Sequence, residues 1–158
     1  MNRSLLFLLL IFSLISCKEE VPIRVACVGD SITEGYGIPD PGMNAYPAQL
    51  GTLLGPGYEV KNFGLGGRTM LHKGDMPYVE EEAYQLAQDF APQIVVIKLG
   101  TNDAKPYNWL FKDDFMQNYT EMIETFREAG TERILICLPV PVYGSNFDIT
   151  AETVHNEV

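Results

Sequence analysis

Ile94-Val95-Val96-Ile97-Lys98-Leu99-Gly100-Thr101-Asn102-Asp103 joins a run of almost unbroken apolar character to a short polar turn. The run does not alternate, so it reads as a strand covered on both faces, the kind found in parallel sheets held between helical layers. The turn that follows is where such a strand delivers side chains to a ligand.

Working outward, the chain holds three more segments of this kind, expected over Ile23–Val28, Tyr58–Asn62 and Ile134–Leu138. Three of the four are nearly uniform in apolarity, which predicts cover on both faces. Between them the period becomes helical. Leu50, Leu53 and Leu54 follow Pro47, a residue suited to a first helical turn. Val79, Ala83, Leu86, Ala87 and Phe90 fall on one stripe. Phe115, Met116, Tyr119, Met122, Ile123 and Phe126 form another, beginning behind Asp113-Asp114 and stopping at Gly130. Ala151 to Val158 has the look of a further helix opening. Strands that alternate with helices require right-handed crossovers, so the expected fold is α/β, a parallel sheet between two helical layers.

Three strand ends then carry candidate chemistry. After the first comes Gly29-Asp30-Ser31, which places a serine where the chain leaves the sheet. After the second comes Asn62-Phe63-Gly64-Leu65-Gly66-Gly67-Arg68-Thr69, whose glycines let backbone N–H groups approach a ligand. After the third, Asn102 offers a neutral amide donor suited to an oxyanion. Each feature has an ordinary reading: a helix N-cap serine, a glycine turn, a turn asparagine. Their conjunction at three successive strand ends of one sheet points to nucleophilic acyl transfer. Ser31 lacks the glycine two residues on that a nucleophile elbow of the α/β-hydrolase kind requires.

Gly29-Asp30-Ser31, the glycine turn and Gly100-Thr101-Asn102-Asp103 resemble, in order and separation, the first three sequence blocks of the SGNH, or GDSL-type, serine hydrolases. Gly67-Arg68-Thr69, Lys73-Gly74-Asp75, Lys105-Pro106 and Asn108-Trp109 are similar to a branch of sialate O-acetylesterase-like proteins. The resemblance implies a three-layer flavodoxin-like fold with five parallel strands, of which this sequence supplies four. It implies Ser31 as nucleophile, with an oxyanion hole made of the Ser31 N–H, the Gly67 N–H and the Asn102 side chain, and Asp30 in support. The implied reaction is hydrolysis of acyl esters, O-acetyl groups on carbohydrate above all, with neither cofactor nor metal. A carbohydrate-binding remnant of the same fold, without catalysis, is the alternative.

The pattern departs from the family at its fourth block, an Asp-x-x-His whose histidine serves as the base. The chain has two histidines, His72 and His155. Glu152-Thr153-Val154-His155 imitates the spacing but directly follows the fourth strand region and Pro139-Val140-Pro141, with no further strand between. It is therefore not read as the base and its orienting acid. The expectation is a sequence that stops short of the catalytic loop, inactive and of low stability by itself.

At the other end, Arg3 and the apolar run from Leu5 to Ile15 read as a signal peptide over residues 1–16, too short to span a bilayer as a mature helix. Leu14-Ile15-Ser16-Cys17 resembles a lipobox, which makes Cys17 the expected lipidation site. Residues 17–22 then form a tether and 23–158 one domain. The expected address is the bacterial cell envelope, with the membrane reached only through the lipid. Loss of Arg3 takes the formal charge from −10 to −11, a surface that repels phosphate backbones and excludes nucleic acid as a partner. Cys27 and Cys137, each inside an apolar run, are expected as buried free thiols.

Overall fold

The computed structural model describes residues 21–143, 147–156 and 158. The signal-peptide and lipobox segments, with Cys17, lie outside these residues.

Four strands form one parallel sheet: β1 (Ile23–Gly29), β2 (Tyr58–Gly64), β3 (Ile94–Lys98) and β4 (Arg133–Ile136). Their order is β2-β1-β3-β4, so β1 is an interior strand and the connections pass over both faces. Val25 lies between Val60 and Ile94, and Gly29 between Gly64 and Lys98. The α/β fold and the parallel sheet are those expected, with strand ends differing by one or two residues.

Seven α-helices accompany the sheet among the described residues: α1 (Ser31–Glu34), α2 (Pro41–Asn44), α3 (Tyr46–Leu54), α4 (Glu82–Asp89), α5 (Pro106–Trp109), α6 (Phe115–Glu128) and α7 (Ala151–Asn156). Pro47 sits in the first turn of α3, where its missing N–H costs nothing. The stripe from Val79 to Phe90 is not one helix. A 3-10 turn over Tyr78–Glu80 is separated from α4 by Glu81, which is extended and whose carboxylate takes 2.9 Å contacts from two guanidinium nitrogens of Arg68. That ion pair fixes the break, which hydrophobic period cannot register.

Alternate residues of the strands feed two cores. Ala26, Val28, Val95 and Ile97 pack with Met122 and Phe126 of α6, with Ala87 of α4 and with Tyr78. Val25, Cys27 and Val96 face Tyr46 and Leu50 of α3. Full burial of a valine, isoleucine, methionine or phenylalanine side chain among these contributes about 2 kcal/mol. The uniform apolarity of the fourth segment misled in one respect. Leu135 and Ile136 of β4 are about half exposed; they point to opposite faces of the sheet, and β4 stands at its edge in the order β2-β1-β3-β4. Cys27 and Cys137 are both free, as expected, but only Cys27 is fully buried, and desolvation pushes its thiol up to about 12.

Candidate active site

Asp30 makes the turn that presents Ser31. Its backbone is extended, and its carboxylate caps α1 by accepting the Ile32 N–H at 2.9 Å. The side chain is wholly buried. Desolvation raises its pKa, opposed by the Ile32 N–H and by the charge of Lys98. Lys98 is itself buried at the end of β3, and its ammonium has no hydrogen-bond partner among the described residues. The carbonyl of Ser31 accepts from Gly35 and Tyr36 at 3.0 and 2.9 Å, closing the short helix behind the hydroxyl.

The second strand end is stitched onto this turn. Asn62 donates to the Thr33 carbonyl at 2.8 Å and accepts the Gly64 N–H at 2.8 Å. Leu65 donates to Gly29 across the sheet end. Gly64 lies so close beneath α1 that a Cβ there would fall 2.2 Å from the Glu34 backbone nitrogen. Beyond it Gly67 adopts φ +82°, a region that favours glycine.

The third strand end closes against the second. The Asn102 amide, largely buried, donates to the Arg68 carbonyl at 3.1 Å, one residue past Gly67. Asp103 accepts the Met70 and Leu71 N–H groups at 3.0 and 2.7 Å. Asn108 donates to the Asn102 carbonyl and to Asp75, and accepts the Asp75 N–H. Asp75 also takes contacts at 3.2 Å from the Lys105 ammonium and the Tyr107 hydroxyl. Burial raises its carboxyl, but these donors outweigh that and hold it below the usual carboxylate range.

Ser31, Gly67 and Asn102 line one cavity of about 520 Å³, together with Ile32, Thr101 and Lys105. Three residues separated by more than thirty positions each are thus brought to one place, while Asp30 stands behind them in the protein. Neither histidine lines the cavity. His155 accepts the Val142 N–H at 3.1 Å through Nε2, and the His72 Nδ1 lies 3.6 Å from Glu121. Sequence reasoning passed over Asp75 and Asn108 as working parts. They belong to the runs that resemble the acetylesterase branch, yet spacing alone does not tell which turn a buried amide will tie.

A family model for the GDSL-like lipase/acylhydrolase family matches residues 27–157. The chain belongs to that family. It is 41% identical, over 162 aligned positions, to an acetylxylan esterase of Xylanibacter ruminicola, an alignment that covers 91% of this chain and 34% of the relative. The chain thus spans about a third of the length of that curated relative. Among solved structures, the aryl esterase of M. smegmatis superposes with TM-score 0.65 at 22% identity, covering 85% of this chain and 74% of that one. A carbohydrate acetylesterase family member from Sinorhizobium meliloti gives TM-score 0.62 at 22% identity, covering 84% and 72%. These two likenesses are of fold, and they place this GDSL chain on the α/β scaffold described above.

Proposed function

We propose that the intact protein is a serine esterase that removes acyl groups, O-acetyl above all, from carbohydrate. The observation that carries this reading is the convergence of Ser31, Gly67 and Asn102 on one cavity at the carboxyl ends of the strands. The acetylxylan esterase relative supports the choice of substrate.

In this mechanism Ser31 Oγ attacks the ester carbonyl while a base takes its proton. The N–H groups of Ser31 and Gly67 and the Asn102 amide receive the negative charge that develops on the carbonyl oxygen. Asn102 spends one amide hydrogen on Arg68 and keeps a second to donate. Collapse releases the sugar hydroxyl, which takes back the proton, and water then frees the acyl group from Ser31. Asp30 holds the turn through Ile32 without touching substrate. No step calls for a metal or organic cofactor. Neither His72 nor His155 lines the cavity, and this reading assigns the base to no described residue.

The absence of both histidines from the cavity lining favours a second reading, a carbohydrate-binding protein without catalysis. Acetate release from an O-acetylated oligosaccharide by the intact protein separates the two. The esterase reading requires release that Ser31→Ala abolishes. Sugar binding that survives Ser31→Ala, with no release by the unsubstituted protein, decides for the binding reading. We further propose the cell envelope as its site of action, anchored by a lipid on Cys17. Globomycin-sensitive processing and loss of membrane association in Cys17→Ala test that anchor.

A further inference from the structure

Tyr36 borders the Ser31 cavity with 79% of its surface exposed, yet it does not sit on a slack loop. Its N–H donates to the Ser31 carbonyl at 2.9 Å, and the Ile38 N–H returns to the Gly35 carbonyl at 3.0 Å. The flanking Gly35 and Gly37 have φ of +92° and +77°. A Cβ on Gly35 would lie 2.7 Å from that of Ala45 and 2.8 Å from that of Pro41, so the turn accepts no other residue there. The fold therefore holds a large apolar ring in water, five residues from the nucleophile, on backbone hydrogen-bonded to the nucleophile itself.

The same cavity is lined by Thr101 and by Lys105, whose buried ammonium is held 3.2 Å from Asp75. Fixed polar groups beside a rigid aromatic ring match a ligand with apolar faces and a hydroxylated edge, which describes a pyranose or furanose. Val140, Val142 and Ile149 also line the cavity and offer contact to the apolar faces of such a ring. The volume of about 520 Å³ falls in the range of cavities that enclose ligands larger than an acetyl group.

We propose that Tyr36 is the stacking platform for the sugar ring that bears the ester, making this a specificity-determining residue. The inference rests on the carbohydrate reading above and names the residue that selects for it. Tyrosine suits the role because it gives broad, rigid contact at low conformational cost.

The test compares the intact protein with Tyr36→Ala and Tyr36→Phe on two esters, an O-acetylated oligosaccharide and ethyl acetate, which has no ring. Tyr36→Ala is expected to raise KM for the oligosaccharide about tenfold, leave kcat within twofold, and leave ethyl acetate turnover within twofold. Tyr36→Phe, which keeps the ring, is expected to behave as the unsubstituted protein. Equal losses on both esters, no loss on either, or a phenylalanine as damaging as alanine would overturn the platform. Calorimetric binding of the same oligosaccharide to Ser31→Ala, with and without Tyr36→Ala, separates this inference from the esterase reading. A tenfold weakening supports the platform even where no acetate is released. Binding indifferent to Tyr36 overturns it even where hydrolysis is real.

Discussion

Asn108 donates its side-chain amide to the main-chain carbonyl of Asn102 at 2.9 Å. The same side chain is bound to Asp75 through both its oxygen and its nitrogen, and only 1% of it is exposed. It is therefore one of the ties between the turn that follows β3 and the loop that follows β2, the two pieces of chain between which the proposed oxyanion hole opens.

Replacing Asn108 with alanine strands buried groups on both sides of that tie. Each buried group left unpaired costs about 1–3 kcal/mol, so Asn108→Ala is expected to destabilise the fold by about 3 kcal/mol. The loss is measured by denaturant unfolding. Turnover in the intact protein should fall with KM little changed, since the residue acts by placing Asn102. A variant of unaltered stability would mean the tie carries no strain between the loops.

Asn102→Ala removes one donor of the hole. The expected loss is about a hundredfold in kcat, with a smaller change in KM. Stability should fall less than in Asn108→Ala, because one hydrogen bond to Arg68 is lost. A kcat within threefold of the original would remove Asn102 from the proposed mechanism.

Asp103 sets a pH dependence. Burial pushes its carboxyl up to about 6 from the ordinary 3.8, against the downward pull of the Leu71 and Met70 amides. Between those values the folded chain keeps a proton that the unfolded chain has lost. Stability from this group is therefore fully present below about pH 4, falls as pH rises toward 6, and is level above that. The span is at most about 3 kcal/mol. Asp30 is raised as well and adds the same sign, while Asp75 is lowered and opposes it. Asp103→Asn should flatten the decline in Tm between pH 4 and 6. An unchanged slope would assign the dependence elsewhere.

Gly64→Ala probes the stitching of β2 to the Ser31 turn. The added methyl meets the backbone of Thr33 and Glu34, at 2.6 and 2.2 Å, and backbone cannot step aside as a flexible side chain can. The expected cost is about 1–3 kcal/mol in thermal or denaturant unfolding, together with reduced labelling of Ser31 by a fluorophosphonate in the intact protein. Labelling at the original rate would show that α1 absorbs the methyl without moving the serine.

Much of this arrangement was legible in the order of residues. Apolar runs such as Ile94–Lys98 and turns such as Gly29-Asp30-Ser31 are local patterns, and a parallel sheet between helices follows from their alternation. The placement of Ser31, Gly67 and Asn102 in one cavity follows in turn from strands that all end on the same side. What remained illegible depends on contacts distant in sequence. The Arg68–Glu81 pair splits an otherwise clean helical stripe, and the ties from Asp103 to Met70 and Leu71 span more than thirty residues. Exposure of β4 was hidden for a different reason: apolarity records what a strand can bury, while Leu135 and Ile136 stay half exposed on a strand that the sheet order puts at the edge.

The sheet order β2-β1-β3-β4 places the first strand made in the middle. During synthesis β1 can pair with β2 as soon as Gly64 has emerged, but its other edge stays open until β3, some thirty residues later, is released. Val25, Cys27 and Val28 spend that interval beside unpaired backbone groups, a template for adhesion to other nascent chains. The central strand is thus a vulnerability in time rather than in space, and a protein of this topology depends on whatever shields its growing chain until the third strand arrives.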